Sequence, residues 1–296
     1  MLRAISLKRA LSLAALCERD RINKQEVTEM NQSVKAPTPI EQQLAVWSAG
    51  NYADLGVRLQ IVGEALAETI ALRPGEAVLD VAAGNGNFSL AAARRFADVT
   101  ATDLVPELVE KARIRSLSEG LGLTCQVENA EALTFADDSF DVVASVFGVM
   151  FVQDHAVAAQ ELARVCKPRG RIGLAVWSAE GFIGQVFKVI GKYRAKAPAA
   201  SPMDWSREEY LTELFPNATE IQAESHHYMF RHYDAERWVE YFSDFYGPLK
   251  TVLAGLDETS GNDLKNDLIA LCNEINSDAG SFLAPAEYKQ IQIRFC

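Results

Sequence analysis

The stretch VLDVAAGNGNFSLAAA, residues 78–93, decides the fold that this sequence predicts. An apolar run contains Asp80, glycines follow at positions 84 and 86, and an alanine-rich segment comes next. This order indicates a buried strand, a tight turn and the start of a helix. Such a turn holds anionic or nucleotide ligands at the carboxyl edge of a parallel sheet. The turn is therefore the first candidate for a ligand site.

Segments typical of strands and of helices alternate on both sides of this turn. Segment 140–147 is apolar on both faces, as a central parallel strand must be. The alternation predicts an α/β fold with a Rossmann-like, doubly wound parallel sheet. We predict a loop at residues 33–43, strands at residues 77–82, 99–103, 123–128, 140–147 and 170–177, and helices at residues 53–71, 86–96, 106–120 and 156–166.

The last third of the chain differs from the alternating part. We predict helices at residues 181–193 and 234–246, paired edge strands within residues 218–233, and two or three further helices in residues 249–294. Aromatic residues cluster here and form either the core of a helical cap or the apolar wall of a substrate pocket. The cluster consists of Trp205, Phe230, Tyr233, Trp238, Tyr241, Phe242, Phe245 and Tyr246.

The 296 residues therefore divide into three predicted parts. Residues 1–35 form an N-terminal extension, residues 36–180 form a ligand-binding Rossmann-like core, and residues 181–296 add the last sheet strands and a helical cap. In the extension, three basic residues precede a short apolar patch, and Glu18 is the first acid. An organelle presequence and a translated upstream extension with Met30 as an alternative start both fit this pattern. We favour the upstream extension and expect a cytoplasmic protein.

Composition and charge narrow the class of partner. The formal net charge is -11 and no basic stripe compensates for it, so we expect no nucleic-acid partner. The five cysteines are scattered without a C-x-x-C pair, which indicates a reducing compartment and excludes a cysteine-rich zinc site. No apolar run approaches the roughly 20 residues that span a bilayer. We expect neither a bound metal nor a membrane span.

The acids around the glycine turn indicate which ligand it holds. The dinucleotide fingerprint G-x-G-x-x-G is only partly matched, because Ser89 stands in its third glycine position. A buried carboxylate at Asp80 would repel a pyrophosphate and favour an amine, although a turn-capping acid is the alternative interpretation. Asp103 ends the next predicted strand, where an acid accepts hydrogen bonds from ribose hydroxyls. A nucleoside joined to an amino acid, S-adenosylmethionine, fits these features better than a nicotinamide dinucleotide does.

Several segments in a fixed order support the same ligand. They are WSAGNYADLG at 47–56, PGEAVLD at 74–80, GNG at 84–86, ATDL at 101–104, VENAEALTFADDSFDVV at 127–143 and ELARVCKPRGRI at 161–172. With these motifs, residues 45–180 resemble the class I S-adenosylmethionine-dependent methyltransferases of the ubiquinone/menaquinone-biosynthesis-like group (methyltransferase type 11/25). The resemblance implies a seven-stranded sheet of the methyltransferase type and S-adenosylmethionine as cofactor.

The resemblance also implies a set of cofactor-binding residues. Gly84 and Gly86 would let the backbone approach the methionine part, Asp80 would face the ammonium group, and Asp103 would bind the ribose. Ser145 would lie at the mouth where methyl donor and acceptor meet. The implied set is Tyr52, Asp80, Ala82, Gly84, Gly86, Asp103, Leu104, Asn129, Ala130 and Ser145.

Two positions depart from the family pattern. Asn129, which with Ala130 would flank the adenine, stands where the family has an acid. An amide can still accept a hydrogen bond from the adenine amine, but the charge is lost. Arg169 replaces the second glycine before the last core strand, in a turn that we expect to be exposed.

The chemistry implied is methyl transfer to a small acceptor. The segment SVFGVM after the fourth strand lacks the N/D-P-P-Y pattern of nucleobase amino-methylating enzymes. We predict O- or N-methylation of a small, partly apolar molecule (EC 2.1.1.-). The alternatives are C-methylation of a quinone-type ring and a protein that binds S-adenosylmethionine without methylating.

A base would help if the acceptor is a hydroxyl or an acidic carbon. We rank His155 first as the candidate catalytic residue because it follows the fourth strand, near the expected active mouth. An exposed residue at the start of a helix is its alternative interpretation. The remaining candidates are Asp154, His226, His227 and His232. His226 and His227 are adjacent in a predicted strand, so their rings point to opposite faces and joint metal binding is not expected.

Overall fold

A computed structural model describes residues 37–194 and 200–296. The predicted extension over residues 1–35 lies outside the described residues and stays a prediction. Residues 43–296 form one compact unit.

The predicted loop at residues 33–43 is wrong from Pro39 onward, where helix α1 (Pro39–Ser48) begins. The N–H of Thr38 donates to Glu41 Oε2 at 2.7 Å, and the N–H of Glu41 donates to Thr38 Oγ1 at 3.3 Å. This reciprocal pair is a capping box, and a proline at the first helical position needs no hydrogen-bond partner for its nitrogen. The prolines therefore start the helix rather than prevent it.

Residues 43–296 contain one seven-stranded sheet with the order β3-β2-β1-β4-β5-β7-β6. Strands β1 to β5 pair in parallel, and β7 runs antiparallel to both β5 and β6. This mixed sheet flanked by helices confirms the predicted fold class. The strands are β1 (Ala77–Val81), β2 (Asp98–Asp103), β3 (Thr124–Val127), β4 (Phe140–Val146), β5 (Cys166–Trp177), β6 (Glu220–His232) and β7 (Phe282–Arg294).

Helices flank the sheet and continue into the last third of the chain. Two of them precede β1, the next three alternate with the parallel strands, and those after β5 belong to the cap. They are α2 (Tyr52–Gly56), α3 (Gln60–Thr69), α4 (Asn87–Arg94), α5 (Pro106–Ser118), α6 (His155–Val165), α7 (Phe182–Lys192), α8 (Glu208–Leu214), α9 (Ala235–Phe245), α10 (Gly247–Ala254) and α11 (Glu258–Ile275).

The end of the chain differs from its prediction. Residues 249–294 include most of α10, all of α11 and then the strand β7, so the prediction of helices alone is wrong over its last part. Side chains in the first eight residues of β7 alternate between buried and half-buried, the period of a strand. Residues 218–233 hold the single edge strand β6, whose partner is β7.

The sheet brings the ends of three strands together. Asp80 near the end of β1 pairs in register with Ala101 of β2 and Ala144 of β4. The carboxyl ends of neighbouring parallel strands meet at one edge, where ligands of open α/β sheets bind. Within residues 37–194 and 200–296, no helix is long and apolar enough to cross a membrane.

Candidate active site

The turn after β1 depends on two glycines. Gly84 and Gly86 have φ angles of +56° and +82°, a backbone region that other residues enter at a cost. A Cβ atom at Gly84 would lie 3.1 Å from the ring of Tyr52, and one at Gly86 would lie 3.0 Å from Cβ of Ala112. Gly84 therefore keeps space open beneath Tyr52, and Gly86 lets α5 pack closely on the turn.

Asp103 ties this turn to the end of β2. Its Oδ2 accepts a hydrogen bond from the N–H of Gly84 at 2.8 Å, and its Oδ1 accepts one from the N–H of Val105 at 2.9 Å. Burial raises the pKa of Asp103 to about 6, against the lowering effect of these backbone donors. The carboxylate thus fixes the conformation of both loops at this edge.

Asp80 is more deeply buried than Asp103, and one of its carboxylate oxygens accepts no hydrogen bond within the described residues. Its Oδ2 accepts hydrogen bonds from the N–H of Ser89 at 2.9 Å and from Ser89 Oγ at 2.5 Å. Its Oδ1 is buried without a hydrogen-bond partner among the described residues. Burial raises the pKa of Asp80 to about 7, and the charge of Asp103 adds to the rise. A buried oxygen of this kind is costly unless a ligand or water satisfies it.

A cavity of about 70 Å³, here called the smaller cavity, lies over the turn. Most of the predicted set lines it, and the lining also includes Gln43 and Trp47 from α1, Glu128, and Gly148 after β4. The predicted residues that line it are Tyr52, Ala82, Gly84, Asp103, Leu104, Asn129 and Ala130.

Three members of the predicted set do not line the smaller cavity. Gly86 packs on α5, and Asp80 borders a separate narrow space beneath the turn. Ser145 Oγ donates to the carbonyl of Val81 at 2.7 Å and accepts from the N–H of Val149 at 2.9 Å. Ser145 thereby joins the ends of β1 and β4, and its hydroxyl is buried.

A second cavity of about 320 Å³, here called the larger cavity, lies next to the smaller one. Most of its lining is aromatic and comes from α2, the loop after β4, and the cap. Five residues of the predicted aromatic cluster are part of this lining: Phe230, Trp238, Tyr241, Phe242 and Tyr246. Its volume lies within the range of sites for small organic ligands.

The two cavities share three aromatic side chains, those of Tyr52, Phe147 and Phe151. The ring of Phe147 is stacked on Trp177 with centroids 3.8 Å apart, and its backbone has a φ of +53°. This strained residue turns the chain after β4 so that its ring stands between the cavities. Sequence reasoning did not include Phe147 or Phe151 in the site, although both lie within or beside SVFGVM.

The histidine candidates occupy different environments. His155 begins α6 and is buried, with its Nδ1 2.9 Å from the hydroxyl of Tyr210 and its ring against Trp205. It lines neither cavity, and its catalytic role stays a prediction. His232, at the end of β6, is the one histidine in the lining of the larger cavity among the described residues.

Comparison with known proteins identifies the family. A family model described as a methyltransferase domain matches residues 79–174. The uncharacterized protein Rv1405c of Mycobacterium tuberculosis is 39% identical over 241 residues, which are 79% of this chain and 88% of that protein. The chain belongs to the class I S-adenosylmethionine-dependent methyltransferases.

Two further similarities agree with this family. The ubiquinone/menaquinone biosynthesis C-methyltransferase UbiE of Legionella pneumophila is 35% identical over 118 residues, 38% of this chain and 47% of that protein. The crystal structure of the YcgJ protein from Bacillus subtilis matches with a TM-score of 0.54 at 20% identity and covers 78% of this chain and 98% of that chain. The methyltransferase is thus of the UbiE-like type, and its cofactor is S-adenosylmethionine.

Proposed function

We propose that this methyltransferase transfers the methyl group to an oxygen or nitrogen atom of a small, partly apolar molecule held in the larger cavity. The observation that carries the proposal is that the two cavities adjoin and share Tyr52, Phe147 and Phe151 in their linings. Donor and acceptor atoms must approach to about 3–3.5 Å in line, and such positioning contributes up to about 7–11 kcal/mol in well-oriented systems. Two adjoining cavities provide that approach.

In this proposal the cofactor occupies the smaller cavity and extends into the narrow space beside Asp80, since both spaces have Tyr52 and Phe147 in their linings. Asp103 binds the ribose, Asn129 and Ala130 flank the adenine, and the free Oδ1 of Asp80 faces the ammonium group. The buried oxygen without a partner and the missing Cβ of Gly84 beneath Tyr52 support this placement. When bound, the cofactor supplies an activated methyl group, and the chain supplies position and charge.

The smaller cavity must widen before the cofactor can bind in it. Its volume of about 70 Å³ is well below the 300–1,000 Å³ typical of sites for small organic ligands. Residues 43–56 contribute Gln43, Trp47 and Tyr52 to its lining. We therefore propose that this segment moves outward when the cofactor enters.

The affinity for S-adenosylmethionine is expected to rise between about pH 5 and about pH 7. The carboxyl groups of Asp80 and Asp103 have pKa values of about 7 and about 6 without ligand, so both must lose protons to accept an ammonium and a ribose. A raised carboxyl pKa also means that ionisation of Asp80 lowers folding stability as the pH rises from about 4 to about 7, a cost that a cationic ligand offsets. Calorimetry across this range measures the effect.

A matched variant tests whether the carboxyl group of Asp80 causes this pH dependence. In Asp80→Asn, the part of the pH dependence near pH 7 should disappear, because the amide does not titrate. An affinity that is independent of pH in the unaltered protein would show that neither carboxylate is neutralised by the ligand.

We further propose that His232 accepts the proton when the acceptor atom is a hydroxyl oxygen. Its place in the lining of the larger cavity supports this role. Burial lowers the pKa of His232, with Arg58 and Arg237 adding to the effect and Asp234 opposing it, so the ring is neutral at neutral pH. The oxygen–hydrogen bond of the acceptor breaks and its proton moves to the imidazole of His232, while the bound cofactor would supply the methyl group to that oxygen and keep the electron pair of the broken carbon–sulfur bond.

The experiment that tests the function uses methyl-labelled S-adenosylmethionine and a panel of small aromatic acceptors with hydroxyl, amine or quinol groups. We expect label in a small product and formation of S-adenosylhomocysteine that depends on the acceptor. Label on a ring carbon would favour the alternative of C-methylation, which the similarity to UbiE over 118 residues supports. Cofactor binding without transfer to any of these classes would favour a non-methylating protein.

A further inference from the structure

The charged side chains of the larger cavity all carry the same sign. Among the described residues that line it, Arg58 and Arg231 are the charged ones, and neither aspartate nor glutamate occurs in the lining. The chain as a whole has a formal net charge of -11. An anionic ligand is repelled by that overall charge, so its binding depends on local cations.

Arg58 is held in place without a carboxylate partner among the described residues. Its Nη1 donates to the hydroxyl of Tyr241 at 2.7 Å and to the carbonyl of Asp54. Its guanidinium carbon lies 4.7 Å from the centroid of the Tyr241 ring. The hydroxyl of Tyr228 donates to the carbonyl of Arg58 at 2.9 Å, which fixes the backbone as well. The guanidinium is therefore oriented, and its charge is not neutralised by an ion pair.

Arg231 reaches the same region from the end of β6. Its Nη1 donates to the carbonyl of Met229 at 2.9 Å, and it forms no ion pair within the described part of the chain. Burial raises the pKa of Tyr228, and the charges of Arg231 and Arg58 both oppose that rise. Both guanidinium groups are thus close enough to act on one hydroxyl. Arginine presents a planar fork that matches carboxylate geometry.

We propose that the methyl acceptor is an aromatic anion, with its ring system in the larger cavity and a carboxylate-like group bound by Arg58 and Arg231. The inference rests on the proposed function, because it assigns a substrate class to the same cavity. Both side chains are exposed, so they form the rim of the cavity while the aromatic residues form its interior. The reacting hydroxyl or amine then lies where the ring system faces Tyr52, Phe147 and Phe151, the residues that both cavities share.

Two probe molecules of the same shape, one anionic and one neutral, distinguish binding through charge from binding through apolar burial. Binding of 2-naphthoate and of 2-naphthamide is measured by calorimetry at neutral pH with S-adenosylhomocysteine present. We expect 2-naphthoate to bind at least about tenfold more tightly, the difference that one charge-assisted hydrogen bond provides. Arg231→Met and Arg58→Met should each reduce the affinity for naphthoate by about tenfold and leave that for naphthamide nearly unchanged.

The matched control is Arg169→Met. Arg169 is exposed at the amino-terminal part of β5, outside the lining of both cavities, and its removal changes the net charge equally. Unchanged affinity for S-adenosylhomocysteine shows that each variant is folded. If Arg58→Met does not fold, Arg231→Met still tests the inference, because it leaves the hydrogen bonds of Tyr241 intact.

Three results would overturn the inference: no binding of naphthoate, equal binding of the two probes, or a preference for naphthoate that survives both arginine substitutions. These measurements involve no methyl transfer. A failure of the proposed function would therefore appear as charge-selective binding without transfer. A failure of the inference would appear as transfer to acceptors whose charge does not matter.

Discussion

Replacing Asp103 by alanine is expected to weaken the binding of S-adenosylmethionine by about a hundredfold. The change removes the charge-assisted acceptor that we propose for the ribose, an interaction worth about 1.5–3 kcal/mol. It also removes the acceptor of the N–H groups of Gly84 and Val105, so the turn beneath the smaller cavity loses its fixed conformation. Calorimetric titration gives the two dissociation constants.

Asp98→Ala is the control for this effect. Asp98 begins the same strand, is exposed, and carries the same formal charge. We expect its loss to change the affinity less than about twofold, because exposed charges are screened by salt. If the folded Asp103→Ala variant binds as tightly as the unaltered protein, the ribose lies elsewhere and the assignment of the smaller cavity is wrong.

Replacing His232 by asparagine is expected to lower kcat for a hydroxyl acceptor by about 10²–10⁴, the range for removal of a general base. The pH profile should change with it. Because burial lowers the pKa of His232 below its ordinary value of 6.5, activity of the unaltered protein should fall only in the acidic range below that value. In the variant that acidic limb should be absent, which a merely structural role would not cause.

His227→Asn provides the comparison, since His227 lies on the same strand, is exposed and does not line the larger cavity. Steady-state kinetics with a hydroxyl acceptor should leave its kcat within about twofold of the unaltered protein, as expected of a surface substitution. An unchanged kcat and an unchanged acidic limb in His232→Asn would show that another group or water accepts the proton.

The parallel part of the sheet and the positions of Asp80 and Asp103 at its carboxyl edge could be predicted because local pattern determines both. A buried strand followed by a glycine turn places Asp80 and Gly84 at the carboxyl edge of the sheet, whatever conformation the rest of the chain adopts. Asp103 follows by the same rule from the next strand. The spacing of residues that are close in sequence is sufficient to predict where such residues lie.

The larger cavity could be predicted only in part: five aromatic residues of its lining belong to the predicted cluster, but residues far apart in sequence complete it. Phe147 follows β4, Tyr52 precedes the sheet, and Phe230 comes from β6, which joins the sheet only through β7. The helical interpretation of residues 282–294 removed the strand that brings β6 to this place. His155 was ranked by its position after β4 alone, whereas Trp205 and Tyr210, which surround it, come from a segment whose packing no local pattern reveals.

The most direct test of the central claim is to fill the larger cavity and measure methyl transfer. Ile183 lies in its lining on α7, one helical turn before Phe187 on the same helix face, so Ile183→Trp inserts a large ring into the cavity. The account predicts that Ile183→Trp binds S-adenosylhomocysteine with unchanged affinity and loses transfer of labelled methyl groups to small aromatic acceptors. Full transfer activity in this variant, with the cofactor bound normally, would contradict the claim that the acceptor binds in this cavity.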